Sequence, residues 1–325
     1  MRESQAIQRL RRIATSPAAL GLADDTALLD GLVLTHDSIA EGVHFLPSDP
    51  AASVGWKLVT VNLSDLAAKG ATPEAALLSL ALSGDEAWDM GFLDGIEAAC
   101  ESYGLALVGG DTISLPPGAP RVFGMTAIGR AGERVPLRSG GQDGDVLWVV
   151  GTLGDAASGL TQLLADEAAS SPLVDIYRRP VPLLVPGQVL APVAHAMMDV
   201  SDGLLLDAMR LAEASGLGAE IDLDALPLSR AFVAEHSGDL DARLFAATGG
   251  DDYALLVALA PDEDPLRLSL PQGTTIARVG SLAAEGALLS LISGGRPVPL
   301  PERLGFEHQG HQHRGSSSPP VADRG

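Results

Sequence analysis

Residues 51–70 read Ala51-Ala52-Ser53-Val54-Gly55-Trp56-Lys57-Leu58-Val59-Thr60-Val61-Asn62-Leu63-Ser64-Asp65-Leu66-Ala67-Ala68-Lys69-Gly70. This run reads as a helix that closes at Gly70, with Pro73 just beyond as a stop signal. Asn62, Asp65 and Lys69 fall at i, i+3 and i+7 and so share one face. Upstream, residues 28–37 read as a strand that delivers Thr35 and Asp37 at its end, and residues 4–14 as a short amphipathic helix. Downstream, residues 75–82 are strand-like, 86–103 form a second helix, and 105–108 a short buried strand running into Gly109-Gly110-Asp111. Another strand covers 122–128. Residues 130–145, rich in Gly and Arg, mark a domain junction. Beyond it come a strand at 146–150, helices from 155, near 187–196 (carrying His195) and at 204–215, and strands at 219–223, 253–259 and 274–279. Strands alternating with helices on both sides of the junction predict two α/β or α+β domains.

The 325 residues are 46% hydrophobic, ample for a core of that size. A formal charge of −21 argues against a nucleic-acid surface, which needs clustered Lys and Arg, and against adhesion to an anionic membrane. Cys100, the single cysteine, permits no intrachain disulfide and reads as a buried or partly buried helical thiol. The start lacks the apolar stretch of a signal peptide and no run of about eighteen apolar residues occurs, which predicts a cytoplasmic protein. The end is rich in His, Gly, Ser and Pro and reads as a disordered tail, its His308, His311 and His313 included.

What packing does not explain is the aspartates. They recur in short Gly/Ser/Thr-rich contexts: Ala23-Asp24-Asp25-Thr26, Thr35-His36-Asp37, Asn62-Leu63-Ser64-Asp65, Gly109-Gly110-Asp111-Thr112, Asp199-Val200-Ser201-Asp202-Gly203 and Gly249-Gly250-Asp251-Asp252-Tyr253. An unpaired carboxylate beside a buried strand is costly to bury, so six such places suggest carboxylates converging on hard cations. Mg²⁺ takes oxygen ligands and bridges carboxylates to phosphates, which points to metal-assisted phosphate chemistry. There is no P-loop, no kinase catalytic motif and no Gly-x-Ser-x-Gly.

These segments, with Glu41-Gly42-Val43-His44-Phe45, Gly55-Trp56-Lys57, the Asn62–Asp65 string extended through Leu66-Ala67-Ala68, and Leu137-Arg138-Ser139-Gly140, closely resemble the thiamine-monophosphate kinase family. That family belongs to the ATP-binding superfamily of aminoimidazole ribonucleotide synthetase and selenophosphate synthetase. The resemblance implies a two-domain PurM-like α/β (α+β) fold: residues 1–140 form an N-terminal ATP- and Mg²⁺-binding domain whose sheet makes a homodimer interface, 141–306 a C-terminal α/β domain, and 307–325 a tail. It implies transfer of a phosphoryl group from ATP, the co-substrate, to thiamine monophosphate, giving thiamine diphosphate.

Several Mg²⁺ ions would be held by Asp25, Thr35, His36 (in part), Asp37, Asp65, Asp111, Asp199 and Asp202. Gly110, Asp111, Arg138 and Ser201 would contact ATP, and His44, Asp251 and Phe306 the thiamine phosphate. The acceptor is an anionic phosphate oxygen, so no general base is required and no residue is assigned as one. Ala23 stands for the usual Gly, His36 for a Thr or direct Thr-Asp, Lys69 for the frequent Met, and Asp251 for the usual Glu. Lys69, one turn after Asp65, is placed to pair with it. Two other readings stay open here: another ATP-using enzyme of the superfamily, and a non-catalytic nucleotide-binding homologue.

Overall fold

The structure, a computed structural model, describes residues 3–307; the tail histidines lie outside this range. In chain order the elements are α1 (Glu3–Leu10), β1 (Ala27–Leu29), β2 (Leu32–Ala40), α2 (Ala51–Ala68), β3 (Thr72–Leu82), α3 (Glu86–Tyr103), β4 (Ala106–Ser114) and β5 (Val122–Arg130). There follow β6 (Val146–Val150), α4 (Asp155–Ala165), α5 (Pro172–Arg178), α6 (Leu184–Leu190), β7 (Ala196–Val200), α7 (Leu204–Ser215) and β8 (Gly218–Asp222). The last are α8 (Arg230–His236), α9 (Leu240–Thr248), β9 (Ala254–Leu259), β10 (Ile276–Ala283), β11 (Leu289–Ser293) and β12 (Arg296–Val298).

Two sheets result. The first has the order β1-β2-β5-β3-β4, antiparallel except for β3 beside β4. That parallel pair needs a crossover, and α3 supplies it. The second has the order β12-β11-β8-β10-β6-β9-β7, with only β11 and β8 parallel.

From Leu58 to Ala68 every residue of α2 is buried. A helix buried on all sides must lie between layers, and this one does. Val54, Leu58, Val61 and Leu66 pack with Val33, Phe123 and Met125 of the first sheet. At its C-terminal end, Ala67 and Ala68 join Met197, Leu255 and Val257 of the second. Glycines permit the close approach: a Cβ at Gly55 would lie 2.1 Å from the Phe92 carbonyl of α3, and one at Gly187 of α6 would lie 2.0 Å from the Ala67 carbonyl. Polar residues of α2 are thereby held at the junction of both sheets.

Several elements differ from expectation. The strand expected over 28–37 is a hairpin whose two-residue turn, Asp30-Gly31, has φ of 49° and 79°; positive φ at both central residues suits the twist of such hairpins. The second strand continues to Ala40, so Thr35 and Asp37 are mid-strand. Gly109-Gly110-Asp111 is no turn either. It lies inside β4, an edge strand exposed along its whole length rather than buried. His195 is not in a helix but just ahead of β7, with Nδ1 2.8 Å from the buried Asp145 carboxylate.

Candidate active site

Alternation along β2 decides which side chains meet α2, because successive residues face opposite sides of a strand. Thr35 and Asp37 turn inward, and His36 between them turns out. The Thr35 hydroxyl donates to Asp65 Oδ2, and the Asp37 amide donates to Asn62 Oδ1 at 3.0 Å. Ser64, one residue before Asp65, donates to Asp199 Oδ2 at 2.8 Å, where β7 ends its buried course. Carboxylate oxygens of Asp25, Asp65 and Asp199 all come within 4.8 Å of one another. Four segments distant in sequence, carrying Asp25, Asp37, Asp65 and Asp199, thus deliver acids to one buried region.

The acids divide into two groups. Asp25 faces two cations: Lys69 Nζ lies 2.8 Å from its Oδ2, and Arg138 Nη2 bonds Oδ1. Burial raises its pKa, but these cations outweigh burial and hold it below the ordinary carboxylate value. Lys69 also lies 2.6 Å from Asp24 Oδ1, and the Arg138 amide donates to Asp24 Oδ2 at 2.8 Å. Lys69 therefore pairs with Asp24 and Asp25, not with Asp65 as its spacing suggested. As the C-cap of α2 it sits where its ammonium also donates to the Met197 carbonyl at 3.0 Å.

Asp37, Asp65 and Asp199 form the second group. No Lys or Arg of the described residues makes an ion pair with them. Burial, and then the neighbouring carboxylates, push Asp37 up to about 6 and Asp65 and Asp199 well above the carboxylate range. In such a group each bare charge is disfavoured, and a bound cation relieves the cost. The donor set is carboxylate and hydroxyl oxygen, which suits a hard divalent cation such as Mg²⁺. Asp202 flanks it, held by Arg210 at 2.5 Å; Arg210 also grips Asp207 at 2.9 Å, and burial lifts Asp207 to about 7.

The remaining expected residues are distributed more widely. The His36 ring faces outward, with Nδ1 2.9 Å from Thr126 Oγ1 and Nε2 3.4 Å from Ser38 Oγ. The β-register puts Gly110 level with Leu78, Met125 and Asp37 across four strands. Three strand spacings, about 14 Å, therefore separate Gly110 from Asp37. Asp111 pairs with Ser79 on the exposed sheet edge. Ser201 follows β7, its carbonyl accepting from the Asp251 amide at 2.8 Å. Near it the Phe306 amide donates to the Asp202 carbonyl at 2.8 Å, and Phe306, Leu206, Met209, Gly42 and Val43 line a cleft of about 650 Å³. His44 is in the same loop as Gly42 and Val43, its Nδ1 accepting from the Ala40 amide at 3.1 Å.

Lys57, one face of α2 away from the acids, was given no role from sequence. Its ammonium, only 2% exposed, donates to Asp251 Oδ2 at 2.8 Å and to the His44 carbonyl at 2.9 Å, and lies 4.2 Å from the Tyr177 ring centre. Tyr253 donates to the other Asp251 oxygen at 2.9 Å. One buried lysine thus ties together two of the three expected substrate contacts, from opposite domains. The signal was available: a lysine in the middle of an apolar helix needs a buried partner.

The AIR synthase related protein families match this chain twice, the N-terminal domain over residues 23–131 and the C-terminal domain over residues 142–288. The thiamine-monophosphate kinase of Salmonella typhimurium is 36% identical over 307 residues, covering 90% of this chain and 91% of that one. That of Caulobacter vibrioides is 36% identical over 319 residues, covering 93% and 89%. Among solved structures, AaThiL complexed with AMPPCP and TMP superposes with a TM-score of 0.81 at 31% identity, covering 95% of this chain and 97% of that one. The thiamine monophosphate kinase of Stenotrophomonas maltophilia has a TM-score of 0.70 at 37% identity, covering 90% and 96%. With relatives this similar along nearly its whole length and its carboxylates gathered between two sheets, the chain belongs to the thiamine-monophosphate kinase family.

Proposed function

We propose that this protein transfers the γ-phosphoryl group of ATP to thiamine monophosphate, forming thiamine diphosphate and ADP. The observation that carries the reading is the buried trio Asp25, Asp65 and Asp199, with Asp37 beside it, at the junction of the two sheets. A cluster of acids repels a triphosphate unless cations lie between them. Bound Mg²⁺ would cancel that repulsion and neutralise charge on the transferred group. Asp25, Asp37, Asp65, Asp199 and Asp202 are the residues to hold it, with Thr35 orienting Asp65 through its hydroxyl.

The chain's other task is alignment. An oxygen of the acceptor phosphate forms a bond to the γ-phosphorus as the bond to the β,γ-bridging oxygen breaks, and the electron pair leaves on ADP. The attacking oxygen is already anionic, so no side chain needs to remove a proton. Arg138, at the end of the first domain, and Ser201, in the second, border the acids and are placed to take phosphate oxygens. Phe306 offers a ring face to a heteroaromatic substrate, while Asp251 and His44 offer hydrogen-bonding groups.

The division at residue 140, a cytoplasmic location and a homodimer belong to the same reading. The dimer is supported by apolar side chains on and beside the edge strand β4, where Leu77, Val108 and Ile113 are 41%, 62% and 55% exposed. His36, Gly110 and Asp111 would meet the nucleotide and its metal where a second copy covers that region; a solution mass of two chains is expected.

The test is incubation of purified protein with ATP, MgCl₂ and thiamine monophosphate, with thiamine diphosphate measured as thiochrome fluorescence after separation. Mg²⁺-dependent product is expected, and none when free thiamine replaces the monophosphate. ATP binding without product would refute the reading.

A further inference from the structure

We infer that the Lys69 ammonium holds a cation position at the Asp24–Asp25 end of the acid cluster, so that this chain binds one divalent ion fewer than it would with an uncharged residue there. The inference rests on the reading that the remaining acids bind divalent cations. Lys69 is wholly buried; its ammonium donates to the Met197 carbonyl at 3.0 Å and is ion-paired with Asp24 Oδ1 at 2.6 Å and Asp25 Oδ2 at 2.8 Å. Water does not compete for it, so it is a fixed charge rather than a mobile counter-ion.

With Arg138 on the far side of Asp25, two carboxylates are matched by two cations. Yet Asp25 is also one of the three acids whose oxygens lie within 4.8 Å of one another. Asp65 and Asp199, the other two, have no such partner. The ammonium therefore stands at the edge of the space where divalent ions gather and supplies one charge without a loading equilibrium. It also presents Asp25 to the cluster, since a carboxylate held on both oxygens cannot rotate away. Lys69 is thus a positioning residue, not a catalytic one.

A purely structural ion pair gives different numbers from a substituted cation, and counting ions separates them. Mn²⁺ binding to the full-length protein is measured by the loss of the free-ion EPR signal, for wild type, Lys69→Met and Lys69→Arg, alongside melting curves in EDTA and in saturating Mn²⁺. Lys69→Met is expected to bind one more Mn²⁺ per chain than wild type, to melt earlier than wild type in EDTA, and to regain that loss in Mn²⁺. Lys69→Arg, which keeps the charge, is expected to bind the wild-type number. An unchanged count in Lys69→Met overturns the inference, as does a Lys69→Met chain that stays unfolded in Mn²⁺. Wild type that binds no Mn²⁺ would overturn instead the reading on which the inference rests.

Discussion

Asp65→Asn removes one charge from the least compensated part of the site while conserving shape. Asp65 lies with Asp25 and Asp199 inside 4.8 Å, and none but Asp25 has a cationic partner. At an effective dielectric of 20, one ionised pair at that distance costs about 3 kcal/mol. The folded, metal-free wild type either bears that repulsion or keeps a proton that the unfolded chain has lost at pH 8; both reduce stability. The amide escapes the cost, and its oxygen still accepts from Thr35. The variant in EDTA at pH 8 is therefore expected to be more stable by about 3 kcal/mol, a rise in Tm of roughly 6–12 °C for domains of this size. Turnover is expected to fall on the order of 10³-fold, as when one preorganised charge contact is lost from a transition state. The assay is thermal unfolding by circular dichroism with EDTA or MgCl₂, beside thiamine diphosphate formation. In MgCl₂ the order of stability narrows or reverses, because the wild type gains more from the ion. A variant that melts below wild type in EDTA, or gains as much from Mg²⁺, refutes the reasoning.

Three further outcomes are expected. Lys57→Met, which leaves Asp251 without its buried partner, raises KM for thiamine monophosphate about tenfold or more, as for loss of a charged hydrogen bond, with little change in KM for ATP; equal changes in initial-rate kinetics would remove Lys57 from the substrate side. Phe306→Ala raises KM for thiamine monophosphate roughly three- to tenfold, the worth of an aromatic contact, and more than it raises KM for ATP. The metal-free protein loses stability as pH rises. Asp37 keeps its proton up to about 6 when folded but only to about 3.8 when unfolded, and Asp207 extends the window towards 7. Stability in EDTA therefore falls from pH 4 to 7, by about 3 kcal/mol for Asp37 alone, and melting temperatures fall with it; a rise across that window would contradict the assignment.

Helix α2 was legible almost to the residue because burial and stop signal are both local: an apolar run, then Gly70 and Pro73. The aspartates announced themselves for a similar reason, since acids in apolar company demand a partner. The hairpin at Asp30-Gly31 was legible but missed: Asp-Gly between two apolar runs is the sequence mark of a two-residue turn, and the apolar pattern on both sides was read as one strand. The Gly109-Gly110-Asp111 segment looked like a turn but is a strand, since pairing with β3 outweighs glycine's weak strand preference. Partner choice was the least legible. Spacing offered Lys69 to Asp65, while the fold brings Asp24 and Asp25 from forty residues away to its ammonium. Which carboxylates are compensated, and which await an ion, is a property of the two sheets closing on α2.

The stereochemical course at phosphorus tests the central claim most directly, that aligned phosphates react inside a charge-neutralised cluster with no side chain as carrier. ATP made chiral at the γ-phosphorus with sulfur and oxygen isotopes is used with thiamine monophosphate, and the configuration of the transferred group in the product is determined. A single in-line displacement predicts inversion. Retention would require two displacements through a phosphorylated residue and would contradict the account.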